Sequence, residues 1–227
     1  MEPLRPGARR FALAWVAVVG LGVVAQVGLE VPRPGLVAAV LAAAGLVGCG
    51  RPLRLGCQLE LSAAQPVAFA ALLLTGTSEA LAVAAACVLG AALFREGRLA
   101  ALKIAFNLAV SLGTILGAGL VLSAASEPGT GFGLAPPNLA PLLLATLLAF
   151  PLSTVPVVAA VSLNGGGGLA AMWAARFLPV LPGYLAGSGL ALVLAWSATA
   201  FGPLALLFLA PLSLLLFARA LPALAPQ

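Results

Sequence analysis

Charged residues are scarce in this chain and stand in short clusters between long apolar stretches. Asp, Glu, Lys and Arg together make up 7% of the sequence, whereas a soluble domain carries about 25%. Uncharged apolar runs such as 11–29 and 139–163 match or exceed the roughly 20 residues that cross a ~30 Å hydrocarbon core. The pattern therefore predicts an integral membrane protein whose main partner is the lipid bilayer.

The apolar runs also decide between the two structures that can cross a bilayer. Because the hydrocarbon core offers no water, every backbone N–H and C=O must be paired within the protein, which leaves helices and closed barrels. Barrel strands alternate apolar and polar residues, and these runs do not. The sequence predicts an all-α polytopic transmembrane helical bundle of about six to eight spans, forming a single membrane domain over residues 1–227.

Charged and helix-breaking residues divide the chain into candidate spans. These lie at residues 11–29, 35–49, 62–75, 78–94, 100–123, 139–163, 181–199 and 203–218. The third is short for a crossing, and only Gly76 and Thr77 separate it from the fourth. Residues 62–94 therefore either cross twice or form a re-entrant hairpin buried among other helices. A short amphipathic helix over 170–178 is expected along the membrane interface.

Basic residues indicate the orientation. If the N-terminus is cytoplasmic and each span crosses once, only Arg33 of the 11 Lys and Arg residues falls outside. Those on the inside are Arg5, Arg9, Arg10, Arg51, Arg54, Arg95, Arg98, Lys103, Arg176 and Arg219. Because Lys and Arg accumulate on the cytoplasmic side, the sequence predicts a multi-pass protein of the inner (plasma) membrane with both termini in the cytoplasm. A re-entrant hairpin over residues 62–94 that enters and leaves on the cytoplasmic side leaves every basic residue on the same side of the membrane.

The residues that usually carry chemistry are few. The chain has no His and no Asp, and its six acidic residues are glutamates near predicted span ends. A histidine base and the usual catalytic zinc sites are therefore excluded. We expect no catalytic residues, no metal site and no cofactor, so an enzyme is not expected. The net charge of +5 is scattered among membrane flanks, which argues against a nucleic-acid partner.

One polar stripe within the spans stands out as a candidate site. Asn107, Ser111 and Thr114 follow an i, i+4, i+7 spacing and share one helix face. They either make hydrogen bonds between helices, worth about 0.6 kcal/mol each, or line a cavity for a small ligand together with Gln65. These four residues are the predicted ligand-binding set.

Pairs of glycines four residues apart, at 113 and 117 and again at 183 and 187, predict close helix packing. Such packing either stays within the chain or joins copies of it as a homo-oligomer.

Several short segments also carry a resemblance to a known family. They are Leu61-Ser62, Gln65-Pro66-Val67-Ala68-Phe69, Lys103 with Phe106-Asn107-Leu108, Leu181-Pro182-Gly183-Tyr184 and the closing Arg219. From Arg51 onward the chain resembles the N-terminal multi-pass membrane module of bacterial cyclic-di-GMP signalling proteins, which precedes HD-GYP phosphodiesterase or GGDEF cyclase domains. The resemblance implies a sensory module without catalytic residues of its own. Because the sequence stops at Gln227, it implies either a fragment or action through a separate cytoplasmic signalling partner.

Three functions follow as hypotheses. The leading one is a sensory or regulatory membrane module that passes a ligand or bilayer signal to a cytoplasmic partner. The second is a small-molecule transport component, similar to the substrate-capture subunits of vitamin uptake systems. The third is a non-catalytic assembly subunit that binds no ligand.

Overall fold

The computed structural model describes residues 4–29, 35–48, 53–55, 59–61, 64–94, 100–125, 139–165, 167–202 and 204–206. Within these ranges eight helices account for most of the chain. They are α1 (Pro6–Leu29), α2 (Leu36–Gly48), α3 (Ala64–Thr75), α4 (Thr77–Phe94), α5 (Ala101–Ala125), α6 (Leu139–Gly165), α7 (Leu169–Arg176) and α8 (Leu181–Phe201). A 3₁₀ turn, Leu178–Val180, joins α7 to α8.

The predicted helical architecture is confirmed, and the first seven predicted spans each coincide with a helix to within a few residues. Helix α1 begins earlier than predicted, at Pro6, where proline fits the first helical turn because its missing N–H would have no partner there. The last predicted span, 203–218, lies almost entirely outside the described residues.

One local departure from an all-α fold is a small antiparallel hairpin. Strands β1 (Leu53–Leu55) and β2 (Leu59–Leu61) pair with Arg54 opposite Glu60. The sequence of each strand is leucine, charged residue, leucine, which is the period-two alternation typical of strands. The hairpin was not predicted from the sequence, because each strand covers only three residues.

Four helical segments are long and apolar enough to cross a membrane: α1, α5, α6 and the stretch Leu169–Phe201. Helices α2, α3 and α4 are shorter. The 12 residues of α3 rise only about 18 Å at 1.5 Å per residue, less than a ~30 Å core. Every residue of α3 from Pro66 to Leu73 is buried, which fits the re-entrant alternative. The number of crossings stays a prediction.

The starts of α1 and α5 lie at the same end of the bundle as the end of α6. The ring centroids of Phe11 in α1 and Phe106 in α5 are 6.4 Å apart, and both pack near Val157 of α6. The backbone N–H of Arg5 donates a hydrogen bond to Asn164 Oδ1 at 2.9 Å. We call this the basic end, because it carries the arginines of the first turns of α1 and Lys103 of α5.

Helices α3 and α4 form a hairpin that opens toward the basic end. Gly76 makes the turn with φ +95°, a left-handed conformation that favours glycine. Thr77, at the start of α4, lies beside Gly119 of α5. An added Cβ at Gly119 would be 2.8 Å from Thr77 Cγ2. Gly119 is 18 residues beyond the first residue of α5. The tip of the hairpin therefore lies near the opposite end of the bundle, and α3 occupies the centre of the apolar core.

The glycine pair of α5 packs within the chain. A Cβ on Gly113 would lie 3.1 Å from Val19 Cγ2 of α1, and a Cβ on Gly117 would collide with Leu152 of α6. The predicted close packing is confirmed for this pair, and its two members serve two different neighbouring helices. A homo-oligomer stays a prediction.

Candidate ligand pocket

A pocket of about 350 Å³ lies between α3, α4, α5, α6 and α8. Small and aliphatic side chains form much of its wall, together with the aromatic ring of Phe69. Six polar residues also line it: Gln65, Asn107, Ser111, Thr114, Ser153 and Tyr184. All four residues of the predicted ligand-binding set are therefore brought to one cavity, although whether they bind a ligand stays a prediction.

The stripe on α5 runs from the mouth of this pocket into the protein. Asn107 is exposed, Ser111 is half-buried and Thr114 is 6% exposed. Seven residues of helix correspond to about 10 Å of rise. The stripe thus provides polar groups at successive depths along one wall, with Asn107 nearest to the basic end.

The polar atoms of the stripe differ in their hydrogen bonding. Thr114 Oγ1 donates to the Val110 carbonyl at 2.8 Å, which satisfies its proton within α5. Within the described residues, the Asn107 amide and the Ser111 hydroxyl make no hydrogen bond. The hypothesis of interhelical hydrogen bonds therefore does not account for these three side chains, and two of them have hydrogen-bonding capacity to spare in the pocket.

Gln65 does make interhelical hydrogen bonds. Its Nε2 donates to the Tyr184 carbonyl at 3.1 Å and to Ser188 Oγ at 2.8 Å. The carbonyl can only accept, which fixes the orientation of the amide. Gly187 leaves room for it, since an added Cβ would collide with Oε1 and lie 3.2 Å from Cδ. Gln65 thus fastens α3 to the first turns of α8, and we call this set of contacts the α3–α8 latch.

An aromatic cluster supports the same side of the pocket. Phe150 meets Tyr184 edge-on with ring centroids 5.5 Å apart, and it contacts Trp173 at 5.9 Å. Trp173 Nε1 donates to Thr154 Oγ1 at 2.9 Å. Edge-to-face pairs of this kind contribute about 0.5–1.5 kcal/mol beyond burial. Ser153 Oγ donates to the Phe150 carbonyl at 2.8 Å, so Phe150 contacts two residues whose hydroxyls line the pocket, Ser153 and Tyr184.

The short helix predicted over 170–178 is present as α7 (Leu169–Arg176), and it packs back onto α6. Trp173 reaches Thr154, which lies 11 residues, or about 16 Å of helix rise, before the end of α6 at Gly165. Its ring is half-buried against the core. The aromatic contacts with Phe150 draw Trp173 into the bundle, while Arg176 in the last turn stays exposed.

Sequence reasoning left Ser153, Tyr184 and Ser188 out of the predicted set. Ser153 is one of many hydroxyl residues in the spans, and nothing in its neighbourhood in sequence connects it to α5. Tyr184 itself entered the sequence analysis only within the segment Leu181-Pro182-Gly183-Tyr184, which carries the family resemblance. Ser153 and Tyr184 join the pocket lining, and Ser188 binds Gln65, through helix packing that no local pattern encodes.

The described lining of the pocket is uncharged at neutral pH. It contains amides, hydroxyls, the Cys87 thiol and apolar groups, with no carboxylate, ammonium or guanidinium. Lys103 is exposed one helical turn outward from Asn107. Among the described residues, no group of three His, Cys, Asp or Glu side chains comes together as a metal site.

Comparisons with protein-family models, with curated proteins and with solved structures gave no match. The resemblance to cyclic-di-GMP signalling modules therefore stays a prediction from the segments given above.

Proposed function

We propose that this chain is a sensory or regulatory membrane module that binds a small ligand in the pocket, changes its helix packing in response, and transmits that change to a cytoplasmic partner. The observation that supports binding is the combination of a cavity of about 350 Å³ with two lining side chains, Asn107 and Ser111, that make no hydrogen bond within the described residues. Polar groups that converge in a largely apolar cavity are typical of small-molecule sites.

The α3–α8 latch supports the transmission step. Gln65 and Tyr184 both line the pocket and also hold α3 against α8. A ligand that competes for the Gln65 amide, or that pushes on the Tyr184 ring, changes the packing of α8. In the sequence, α8 leads to the predicted span 203–218 and the cytoplasmic C-terminus, so a partner there would receive the change.

The second candidate is a small-molecule transport component. Its supporting observation is the exposure of Asn107 at the mouth of the pocket, because a capture subunit must load and release its substrate from one side. Retention of a ligand is common to both candidates, whereas the partner differs. A sensory module should co-purify with a cyclase, phosphodiesterase or kinase, and a transport component with an ATPase pair.

Native mass spectrometry of the purified protein tests the binding step. We expect wild-type protein to retain a small molecule, and Asn107→Leu to weaken its retention roughly 3- to 20-fold, as expected for loss of one hydrogen bond in a membrane site. The matched control is Ser123→Leu on the same helix, at an exposed position outside the pocket lining. A compound retained equally by all three proteins would contradict binding at Asn107, and the absence of a retained compound from all three would favour an assembly subunit.

A further inference from the structure

We infer that the pocket takes a small, uncharged, planar molecule that carries both a hydrogen-bond donor and an acceptor, of the carboxamide or lactam class. This inference rests on the proposed function, because it names the ligand class of the same site. It comes from the charge, depth and hydrogen-bonding pattern of the described lining residues.

The absence of charge among the described lining residues argues against an ionised ligand. A carboxylate or an ammonium that entered the pocket would lose its water and gain no opposite charge from these side chains. An unpaired ion is costly in such surroundings, and ionisable groups within a membrane are normally paired or face water. An uncharged ligand avoids this cost.

Lys103 is the charged side chain on α5 nearest to the mouth, and it lies far from the deeper polar group, Ser111. It is exposed and does not line the pocket. It precedes Ser111 by eight residues, which is about 12 Å of helix rise. That distance is far beyond the ~4 Å of an ion pair, so Lys103 makes no direct ion pair with an anion bound beside Ser111.

The unpaired polar groups match an amide. The Asn107 carboxamide offers both donors and an acceptor, so it pairs reciprocally with a second carboxamide. The Ser111 hydroxyl, one turn deeper, also donates and accepts. The rings of Phe69 and Tyr184 line the same cavity and offer apolar contact to a flat molecule. The volume of about 350 Å³ is near the lower end for small-molecule sites, which favours a ligand of one or two rings.

Three probes of the same size test the inference: benzamide, benzoate and benzylammonium. Binding to the full chain in lipid nanodiscs at neutral pH is measured by equilibrium dialysis, with empty nanodiscs as the control for partition into lipid. We expect benzamide to bind at least tenfold more tightly than either ion. Ser123→Leu should bind benzamide as the wild type does, and Asn107→Leu should bind it roughly 3- to 20-fold more weakly, as expected for loss of one hydrogen bond in a membrane site.

The isosteric variant Asn107→Asp guards against loss of folding, since position 107 is exposed. It places a carboxylate at the mouth, and in a Lys103→Gln background, where no lysine lies one turn away to pair with it, we expect benzylammonium to become the preferred probe. An unchanged preference for benzamide in Asn107→Asp with Lys103→Gln would overturn the inference.

Tighter binding of benzoate to the wild type would also overturn it, and a loss of that binding in Lys103→Gln would assign recognition to the lysine. If no probe binds while native mass spectrometry detects a retained compound, the uncharged-amide inference fails and the ligand pocket stands. If no probe binds and no compound is retained, both fail.

Discussion

Replacing Gly187 by alanine tests the α3–α8 latch, because the added methyl group occupies space that the Gln65 amide fills. The new Cβ would collide with Gln65 Oε1 and lie 3.2 Å from Cδ, so the amide must move. Moving it breaks the hydrogen bonds to the Tyr184 carbonyl and to Ser188 Oγ, which measure 3.1 and 2.8 Å. The matched control is Gly189→Ala, two residues along the same helix, where an added Cβ meets nothing within 4 Å.

The expected loss of stability is worked out as the difference in free energy of unfolding between Gly187→Ala and Gly189→Ala. Both gain about 1 kcal/mol from the higher helix propensity of alanine, so this term cancels. Two hydrogen bonds at about 0.6 kcal/mol each, together with crowding of up to about 1–3 kcal/mol in a packed site, remain at position 187. We therefore expect the free energy of unfolding of Gly187→Ala to be about 1–3 kcal/mol lower than that of Gly189→Ala.

Reversible unfolding in mixed micelles, followed by circular dichroism, measures this difference. The same pair of variants in a Gln65→Ala background completes a double-mutant cycle, because without the carboxamide the methyl group at position 187 no longer collides with it. There the difference between positions 187 and 189 should disappear. A difference below about 0.3 kcal/mol in the Gln65 background, or one that persists in the Gln65→Ala background, would refute the proposed latch.

Two further predictions concern packing and orientation. Gly90→Ala should lower the free energy of unfolding by about 1–3 kcal/mol, because its Cβ would lie 2.7 Å from the backbone Cα of Leu46 in α2. The control Gly20→Ala should not lower it, because an added Cβ there meets nothing within 4 Å. Equal stability of the two variants in thermal melts would argue against the α2–α4 contact. In a cysteine-free background, Lys103→Cys should resist labelling by an impermeant maleimide in intact cells and should be labelled in inside-out vesicles. Ser123→Cys, at the other end of α5, should be labelled in intact cells and should resist labelling in inside-out vesicles. Labelling of Lys103→Cys in intact cells would contradict a cytoplasmic basic end.

The sequence predicts best those features that depend on residues close together in the chain. An apolar run commits a segment to a helix in lipid, since the backbone must pair internally. Seven helices accordingly start and end near their predicted positions. The stripe of Asn107, Ser111 and Thr114 follows from helical periodicity alone, and these side chains do share a pocket. The hairpin of β1 and β2 was missed because its alternation covers only three residues in each strand.

Glycine spacing predicted where close packing occurs but not which group packs against each glycine. The pair at positions 113 and 117 was expected to bring helices close together, and it does so against α1 and α6. The pair at positions 183 and 187 has a different outcome, since Gly187 admits the amide of Gln65. The spacing shows where small residues lie on a helix but does not identify what approaches them.

The sequence by itself determined that this chain is built of apolar helices of the kind that membrane proteins contain, where most of the described helices begin and end, and which residues share the polar face of α5. Tertiary structure alone decided that Ser153 and Tyr184 join that face around one cavity, that Gln65 fastens α3 to α8, and that α7 folds back onto α6 through Trp173. The physical reason is that helix formation in lipid follows from the residues of each segment, whereas the choice of neighbouring helix depends on the shapes and hydrogen-bonding groups of segments far apart in the chain.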